Sequence, residues 1–226
     1  MSMYSLFWVL PWLFGSRPGQ LALLVAALWY LDNRYFGLLA ALWIPIRRFQ
    51  QVSALRQAVD VNPSDVRSMV ELGDHYLHGG RPQVAAEYLE RAFSRGEDGA
   101  RALYLLGAAW VKLGRHEEGR ARLEAALAKT PKVAFGEPYL YLMEGAFATH
   151  GPQSPRVDEL VAELDEFDSV EVLTRAGGIC GAAGRHDLAR RLLTEAVRNY
   201  GYVPKRMRRR ERRWLVRARL YLLQIR

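Results

Sequence analysis

A repeated pattern of small and large side chains constrains the fold more than any other feature of this sequence. The first copy contains Leu72, Gly73, Tyr76 and Gly80, followed by Ala85, Leu89 and Ala92. A shift of 34 residues finds Leu106, Gly107, Trp110, Gly114, Gly119, Leu123 and Ala126. A further shift of 70 residues finds Ala176, Gly177, Cys180, Gly184, Ala189, Leu193 and Ala196. Since 70 is slightly more than two periods, a diverged unit is predicted between them, at about residues 137–168.

Each copy has the features of two helices joined by a tight turn. Gly80, Gly114 and Gly184 fall where the first helix must end, a position that favours glycine in the left-handed conformation. Gly73 and Ala85 are small enough to let the two helices cross closely, while the larger residues beside them fill the remaining space. The sequence therefore predicts a series of helical hairpins.

This pattern resembles the tetratricopeptide repeat family, whose unit is a 34-residue helix-turn-helix. The resemblance covers about residues 48–201 and implies an all-α solenoid of stacked helical hairpins. We divide the chain into a hydrophobic membrane-anchor region (1–47), the helical repeats (48–201) and an Arg-rich C-terminal capping helix (202–226).

The resemblance also implies a binding groove, because in this family the first helices of successive repeats line a concave, peptide-binding face. The residues carried over to this face are Arg67, Val70, Asp74, Leu77, His78, Arg101, Tyr104, Val111, Lys112 and Phe147, with Glu137, Leu140 and Glu144 from the diverged unit and Glu171, Thr174, Gly178, Gly181 and Ala182 from the last. Asp74 and Ala108 stand where the family's carboxylate clamp has asparagines. An extended or helical segment of another protein is therefore expected, rather than a free C-terminus.

The N-terminal region is apolar but contains no uninterrupted membrane-length segment. Three apolar runs, at 3–14, 21–31 and 36–46, are separated by short polar stretches. As helices each would be about 16–18 Å long, against about 30 Å for the hydrocarbon layer. Three arrangements are possible. The last two runs would join into one membrane span that buries charged residues, or all three runs would lie as short helices in the membrane–water interface. Alternatively, the runs would pack on one another and on a partner protein as an apolar cap.

Membrane association is the favoured interpretation, because so much exposed aromatic surface would be hazardous in water. Arg47 and Arg48 follow the last apolar run, and positive residues beside a membrane segment tend to remain in the cytoplasm. We therefore expect a protein associated with the bacterial inner membrane, with its repeats in the cytoplasm.

The C-terminal segment 205–226 concentrates the positive charge of the chain. It has a net charge of +9 in a protein whose total is +8, and Glu211 is its one acidic residue. Trp214, Leu215 and Ala218 lie on one helical stripe, which predicts a helix that caps the last repeat. The candidate lipid or polyanion contacts are Arg206, Arg208, Arg209, Arg210, Arg212 and Arg213.

Catalytic signatures are missing from the sequence. There is no glycine-rich phosphate loop, no nucleophile elbow and no paired-histidine zinc helix. His75 and His78 have a spacing that suits a metal, but such a pair beside a repeat groove is more typical of peptide contacts or solvated residues. One cysteine, Cys180, excludes an internal disulfide and favours a packed thiol. We expect no enzymatic activity, no cofactor and no metal.

The sequence thus predicts a membrane-tethered, non-enzymatic scaffold that binds a peptide or helix of another protein and contacts lipid through its N-terminal region. The alternative is an anionic-lipid or nucleic-acid binder that acts through the Arg-rich helix, with the repeats as a spacer. Nucleic acid is the less favoured ligand, because an arginine cluster alone carries no base-reading information.

Overall fold

A computed structural model describes residue 20 and residues 38–225, with side chains from residue 50 onward and at residue 20. Within the described residues, a boundary between two units of the chain falls after residue 57. All regular secondary structure in the described part is helical, so the predicted all-α fold is confirmed. The predicted anchor falls mostly on residues 1–37, which lie outside the described residues apart from residue 20.

Ten α-helices follow one another between residues 38 and 225. Their bounds are α1 (Leu38–Val61), α2 (Val66–His78), α3 (Pro82–Phe93), α4 (Ala100–Lys112), α5 (His116–Lys129), α6 (Glu137–His150), α7 (Pro155–Leu164), α8 (Val170–Ala182), α9 (His186–Tyr200) and α10 (Lys205–Gln224). A short 3-10 turn, Val133–Gly136, precedes α6.

The first described helix, α1, begins inside the last apolar run of the predicted anchor and extends well past it. Across residues 38–225, no helix combines the length and the apolar character that crossing a bilayer requires. Membrane tethering and the predicted location stay predictions.

The turns within the hairpins repeat the same geometry, as the sequence predicts. Gly80, Gly114 and Gly184 have φ values of +73°, +81° and +84°. In each case the next residue is an arginine, and its backbone N–H donates a hydrogen bond to the carbonyl oxygen of the residue five positions earlier. These acceptors are the carbonyl oxygens of Tyr76, Trp110 and Cys180, and each N···O distance is 2.9 Å. These left-handed caps satisfy carbonyls at the helix end and return the chain along the first helix.

The close helix crossings also lie where the sequence places them. A Cβ atom on Gly73 would lie 2.5 Å from Leu89 Cγ, and one on Gly177 would lie 2.6 Å from Leu193 Cγ. In the middle hairpin, a Cβ on Gly107 would meet the Gly119 carbonyl oxygen at 2.8 Å. An added methyl group would therefore clash at each crossing, with a leucine side chain at Gly73 and Gly177 and with the backbone at Gly107.

The core consists mainly of aliphatic side chains that come from both helices of every hairpin. The largest fully buried side chains are Met69, Leu72, Leu89, Leu105, Leu106, Leu123, Leu140, Met143, Leu160, Leu164, Leu173 and Leu192. Cys180 is fully buried among them, and this burial raises the pKa of its thiol to about 12. The prediction of a packed cysteine is confirmed.

The diverged third hairpin, α6 and α7, differs from its neighbours in one respect that the sequence did not predict. The helical spacing of Val157, Leu160, Val161, Leu164 and Phe167 predicts a second helix that reaches Phe167, but α7 ends at Leu164. Phe167 instead packs against Tyr139, with ring centroids 5.7 Å apart, and lies over Gly136. Phe167 therefore makes this contact from the loop after α7 and not from the helix itself.

The acidic residues at the end of this hairpin face the next one. Asp158 lies 2.8 Å from Arg185 in the turn before α9, and Asp165 pairs with Arg191 of α9, so both carboxylates contact the next hairpin. From the sequence alone, the acidic residues of 158–168 are compatible with a solvated face or with a docking surface for a basic segment such as the Arg-rich tail. The structure assigns Asp158 and Asp165 to contacts between repeats.

Candidate functional site

The first helices of the four hairpins, α2, α4, α6 and α8, pack one against the next and form a common surface, here called the first-helix face. It is the surface that the family resemblance marks as a groove. Charged and aromatic side chains connect all four helices across it. The chemistry of the face follows from how these side chains are paired.

Glu137 lies at the centre of this network and contacts the other three helices. Its carboxylate accepts a hydrogen bond from the Tyr104 hydroxyl of α4. Arg175 Nη1 of α8 lies 2.7 Å from Oε1, and His78 Nε2 of α2 lies 3.8 Å from Oε2. One half-buried carboxylate therefore joins four consecutive repeats.

The turn before α6 places Glu137 in this position. Ala134 and Phe135 have φ values of 48° and 52°, and Gly136 has a φ of 92°. Three consecutive left-handed residues reverse the chain direction sharply, and two of them are not glycine. Helix α6 begins directly after this strained turn, and its first residue, Glu137, faces α2, α4 and α8.

A second carboxylate, Asp74, organises the start of the face. Arg101 Nη2 of the next hairpin lies 2.5 Å from Asp74 Oδ2. His78 Nδ1 lies 2.7 Å from Asp74 Oδ1. The imidazole of His78 thus lies between two carboxylates, those of Asp74 and Glu137.

The pairing shifts the pKa values of all three groups. The hydrogen bond to Asp74, together with the nearby Glu137 carboxylate, raises the pKa of His78 to about 10. Burial opposes the ionisation of Glu137, but the contacts with His78, Tyr104 and Arg175 outweigh it and lower its pKa to about 2. For Asp74 as well, burial is outweighed by His78 and Arg101, and the pKa is lowered. The histidine is therefore a cation and both carboxylates are anions near neutral pH.

This arrangement makes folding stability depend on pH in a defined direction. His78, with a pKa raised from 6.5, stabilises the fold fully below pH 6.5 and loses that contribution as the pH rises towards 10. Glu137, with a pKa lowered from 4.5, contributes above pH 4.5 and less as the pH falls towards 2. Because the imidazole is about half exposed, we expect its contribution to be about 1 kcal/mol.

Chemical denaturation at a series of pH values measures this effect. His78→Gln should remove most of the loss of unfolding free energy between pH 6.5 and 8, below the range in which the cysteine and tyrosines of the unfolded chain ionise, while His75→Gln, three residues earlier on the same helix, should retain it. Equal alkaline slopes for His78→Gln and the unsubstituted protein would contradict the assigned pairing.

The central part of the face carries a cation and two tyrosines. Lys112 Nζ lies 2.7 Å from Glu144 Oε2 and 5.5 Å from the ring centroid of Tyr141. Tyr141 and Tyr104 lie with ring centroids 6.2 Å apart. This contact continues the link between α4 and α6.

Two hollows of different character lie along the first-helix face. The first, of about 230 Å³, is lined by Asp74, His78, Arg101, Tyr104, Leu105, Val133, Ala134 and Glu137. The second, of about 470 Å³, is more open and mostly apolar, lined by Glu144, Phe147, Ala148, Pro152, Ile179, Ala182 and Ala183. We call them, after the majority of their lining residues, the polar hollow and the apolar hollow.

The residues predicted for the groove fall into three groups. Asp74, His78, Arg101 and Tyr104 converge on the polar hollow, and Phe147 lines the apolar one. Arg67 is exposed at the edge of the face and pairs with Glu71, and Lys112 is exposed beside Glu144. The buried members, which act as packing beneath the surface, are Val70, Leu77 and Val111, and Tyr104 is buried as well except where it borders the polar hollow.

The last hairpin contributes less surface than the sequence suggests, because α10 covers part of it. A Cβ on Gly178 would lie 3.0 Å from the Tyr221 ring, and one on Gly181 would lie 3.5 Å from Ile225. Thr174 is fully buried.

Arg175, which sequence reasoning missed, is the residue of α8 that reaches the network. The sequence signal that could have identified Arg175 is its position four residues after Glu171, because residues of opposite charge at this spacing pair on one face of a helix.

The Arg-rich helix α10 packs on α8 and α9 through Trp214, Leu215 and Ala218. Arg190 Nη2 donates 2.8 Å to the Ile225 carbonyl oxygen. Arg208 hydrogen-bonds the carbonyl oxygens of Val203 and Gly201 at 2.9 and 3.0 Å, so its guanidinium fixes the start of the helix. The other predicted lipid or polyanion contacts, Arg206, Arg209, Arg210, Arg212 and Arg213, are exposed.

The suggested histidine pair forms no metal centre in the described part of the chain. His78 is directed at Asp74 and Glu137, as described above. Among the residues described, no group of three or more histidine, cysteine or acidic side chains is arranged to hold a metal ion.

Comparisons with known proteins agree with the repeat geometry. Residues 52–92 and 79–134 match the tetratricopeptide repeat family model. A comparison with curated protein sequences found no match.

Solved structures with the same fold include three of low sequence identity. TTC0263, a tetratricopeptide repeat protein of Thermus thermophilus, has a TM-score of 0.60 at 18% identity, over 85% of this chain and 99% of its own. PilF of Pseudomonas aeruginosa has a TM-score of 0.53 at 18% identity, over 87% of this chain and 90% of its own. MamA has a TM-score of 0.52 at 18% identity, over 67% of this chain and 87% of its own. These likenesses support a tetratricopeptide-repeat fold.

Proposed function

We propose that this protein is a non-enzymatic scaffold whose first-helix face binds a segment of another protein. The tetratricopeptide-repeat fold suggests a role in protein–protein contacts. The observation that carries the proposal is the presence of a polar hollow and an apolar hollow on one face built from consecutive repeats. Such a face offers an anchor site and polar contacts for an extended or helical segment.

The partner segment is expected to place an apolar side chain in the apolar hollow, against Phe147, Ile179 and Ala182. Its polar groups would meet the exposed Arg101 and Lys112 on the neighbouring helices. Since both cations are already paired with carboxylates, an acidic partner residue would compete with Asp74 or Glu144. Specificity would therefore come mainly from shape and from the apolar anchor.

The N-terminal apolar runs are proposed to tether this scaffold to a membrane, with the repeats on the cytoplasmic side of a bacterial inner membrane. Support comes from the aromatic, charge-poor composition of residues 3–46 and from Arg47 and Arg48 that follow it. Recovery of the full-length protein in the salt-washed soluble fraction would contradict the tether without affecting the binding face.

Substitution of accessible residues in the groove should abolish partner capture. We expect Lys112→Glu/Phe147→Ala to lower recovery of partners from solubilised membranes about tenfold or more, because an aromatic anchor and a nearby cation are lost together. Leu77 and Tyr104 are unsuitable for this test, because both are buried and their replacement would disturb the core.

The control for this experiment is Arg95→Glu/Tyr202→Ala, which makes the same changes of charge and ring at exposed sites away from the first-helix face. Circular dichroism and thermal unfolding should be the same for both variants. A partner list that is unchanged by Lys112→Glu/Phe147→Ala would move the binding site elsewhere on the protein.

A further inference from the structure

The outward surface of α10 exposes apolar side chains that the repeats do not use. Val216, Leu220 and Leu223 are 50%, 54% and 65% exposed. Their spacing of four and three residues places them on one stripe of the helix. The buried stripe of Trp214, Leu215 and Ala218 lies on the opposite side, against α8 and α9. The helix therefore has two apolar faces, and one of them is in contact with solvent.

Arginines border the exposed apolar stripe on both edges. At 100° per residue, Arg212 and Arg219 fall along one edge, and Arg213 and Arg217 fall along the other. The Arg213 and Arg217 guanidinium groups lie 5.1 Å from the Trp214 ring centroid, so aromatic stacking holds them along the border between the buried and the exposed apolar faces. Arg206 and Arg209 extend the same surface towards the start of the helix.

The combination of an exposed apolar stripe with bordering arginines allows three candidate ligands to be compared: a second copy of the chain, a nucleic acid and an anionic bilayer. A second copy of the chain would bring two such surfaces together, and α10 has nine basic residues against one acidic residue, Glu211. A nucleic-acid backbone would neutralise the arginines but would leave Val216, Leu220 and Leu223 without an apolar partner. An anionic bilayer supplies phosphates for the arginines and hydrocarbon for the stripe at the same depth.

We propose that the outward surface of α10 binds an anionic lipid bilayer, with Val216, Leu220 and Leu223 entering the acyl boundary and Arg206, Arg212, Arg213, Arg217 and Arg219 contacting headgroup phosphates. The contact lies in the repeat unit, at the opposite end of the chain from the apolar N-terminal runs. It goes beyond the proposed scaffold function and does not depend on the first-helix face. It would hold the last repeat at the membrane surface whether or not the N-terminal region is a tether.

A single fluorescent label tests this contact on the full-length chain. Cys180 is the one native cysteine and is fully buried with a raised pKa, so a thiol dye should react selectively at Leu220→Cys. The labelled protein is reconstituted with phosphatidylcholine vesicles that contain or lack phosphatidylglycerol. A spin-labelled lipid then serves as a quencher. A dye at Glu87→Cys, an exposed position on α3, provides the matched control.

We expect the dye at position 220 to shift to the blue and to be quenched by spin-labelled lipid only when phosphatidylglycerol is present. The dye at position 87 should remain unquenched in both vesicles. Arg206→Gln/Arg212→Gln/Arg219→Gln should lower the phosphatidylglycerol-dependent quenching about tenfold. The charge-matched Arg81→Gln/Arg95→Gln/Arg120→Gln, with all three sites exposed and outside α10, should leave it unchanged.

Four results would overturn the proposal. In the first, the dye at position 220 stays as solvent-exposed as the dye at position 87, and in the second, its quenching is equal with and without phosphatidylglycerol. In the third, shielding of the dye at position 220 rises with protein concentration in the absence of lipid. In the fourth, an oligonucleotide shields this dye but vesicles do not. The third would assign the surface to a second copy, and the fourth to nucleic acid. Because every readout is local to position 220, loss of partner binding at the first-helix face would leave this test unaffected.

Discussion

Gly107→Ala should destabilise the protein by about 3 kcal/mol, although it adds only one methyl group. The added Cβ would lie 2.8 Å from the Gly119 carbonyl oxygen and 3.0 Å from the Leu123 backbone nitrogen. A Cβ on Gly119 would in turn meet the Gly107 carbonyl oxygen at 2.8 Å. Helices α4 and α5 therefore touch backbone to backbone at this crossing, and relief of the clash would require the two helices to move apart.

Two alanine variants separate this backbone contact from the other effects of replacing glycine. At Gly73 the added Cβ would meet only side-chain atoms of Leu89, which can shift. The gain of about 1 kcal/mol in helix propensity should offset most of that cost. At Gly114 no atom lies within 4 Å of the added Cβ, and the cost is the left-handed backbone, about 1 kcal/mol.

Urea unfolding of the three variants tests the ranking. Gly107→Ala should lower the unfolding free energy by at least twice as much as either Gly73→Ala or Gly114→Ala. Equal losses at Gly107 and Gly73 would mean that α4 and α5 do not cross at backbone contact.

These glycines illustrate which parts of the fold could be predicted from sequence. Gly80 and Gly114 recur one period apart, and their left-handed caps depend only on the few residues around each turn. The crossings at Gly73 and Gly107 follow from the same period, since each hairpin buries its own pair of small and large residues. Local geometry that is repeated in each unit can therefore be predicted from the amino-acid sequence alone.

Features that depend on how the hairpins stack could not be predicted in the same way. Periodicity places Leu77 and Tyr104 on a groove-lining helix but does not show how deeply the next hairpin buries them. The apolar stripe on α10 predicts that this helix packs on the repeats. The contact between Tyr221 and Gly178, however, depends on the angle at which α10 docks, and the stripe does not specify that angle.

The register of the third hairpin was the most difficult part of the site to predict. Its insertion shifts α6 relative to the 34-residue period, and the turn that begins this helix has two left-handed non-glycine residues, Ala134 and Phe135. No propensity rule favours these residues there. The central position of Glu137 in the network, and the role of Arg175 as its partner, became visible only with the helices in place.

The network has a consequence for how the face keeps its shape. His78, Tyr104 and Arg175 belong to three different helices, yet all contact the one carboxylate of Glu137. The spacing of four repeats, and with it the distance between the polar and apolar hollows, is therefore coupled through Glu137. A partner that spans both hollows needs this spacing to be fixed before binding.

Glu137→Ala should accordingly destabilise the fold by about 2–3 kcal/mol. The carboxylate is 20% exposed and Arg175 is 28% exposed, so its removal leaves a largely buried guanidinium with only the more distant Glu171, at 4.0 Å, and leaves the Tyr104 hydroxyl without its acceptor. Loss of one member of a fully buried pair costs about 3–5 kcal/mol, and partial exposure reduces that figure here. Glu137→Gln should cost less, because the amide oxygen still accepts from Tyr104.

The control for this prediction is Glu144→Ala, farther along the same helix. Glu144 pairs with Lys112, whose side chain is 44% exposed, and a pair of this kind contributes less than about 1 kcal/mol. Urea unfolding measures both variants, and the NMR titration of His78 gives a second readout. In Glu137→Ala the pKa of His78 should fall but remain above 6.5, because Asp74 still accepts its Nδ1 proton. Similar losses of stability for Glu137→Ala and Glu144→Ala, with an unchanged His78 titration, would show that Glu137 does not join the repeats.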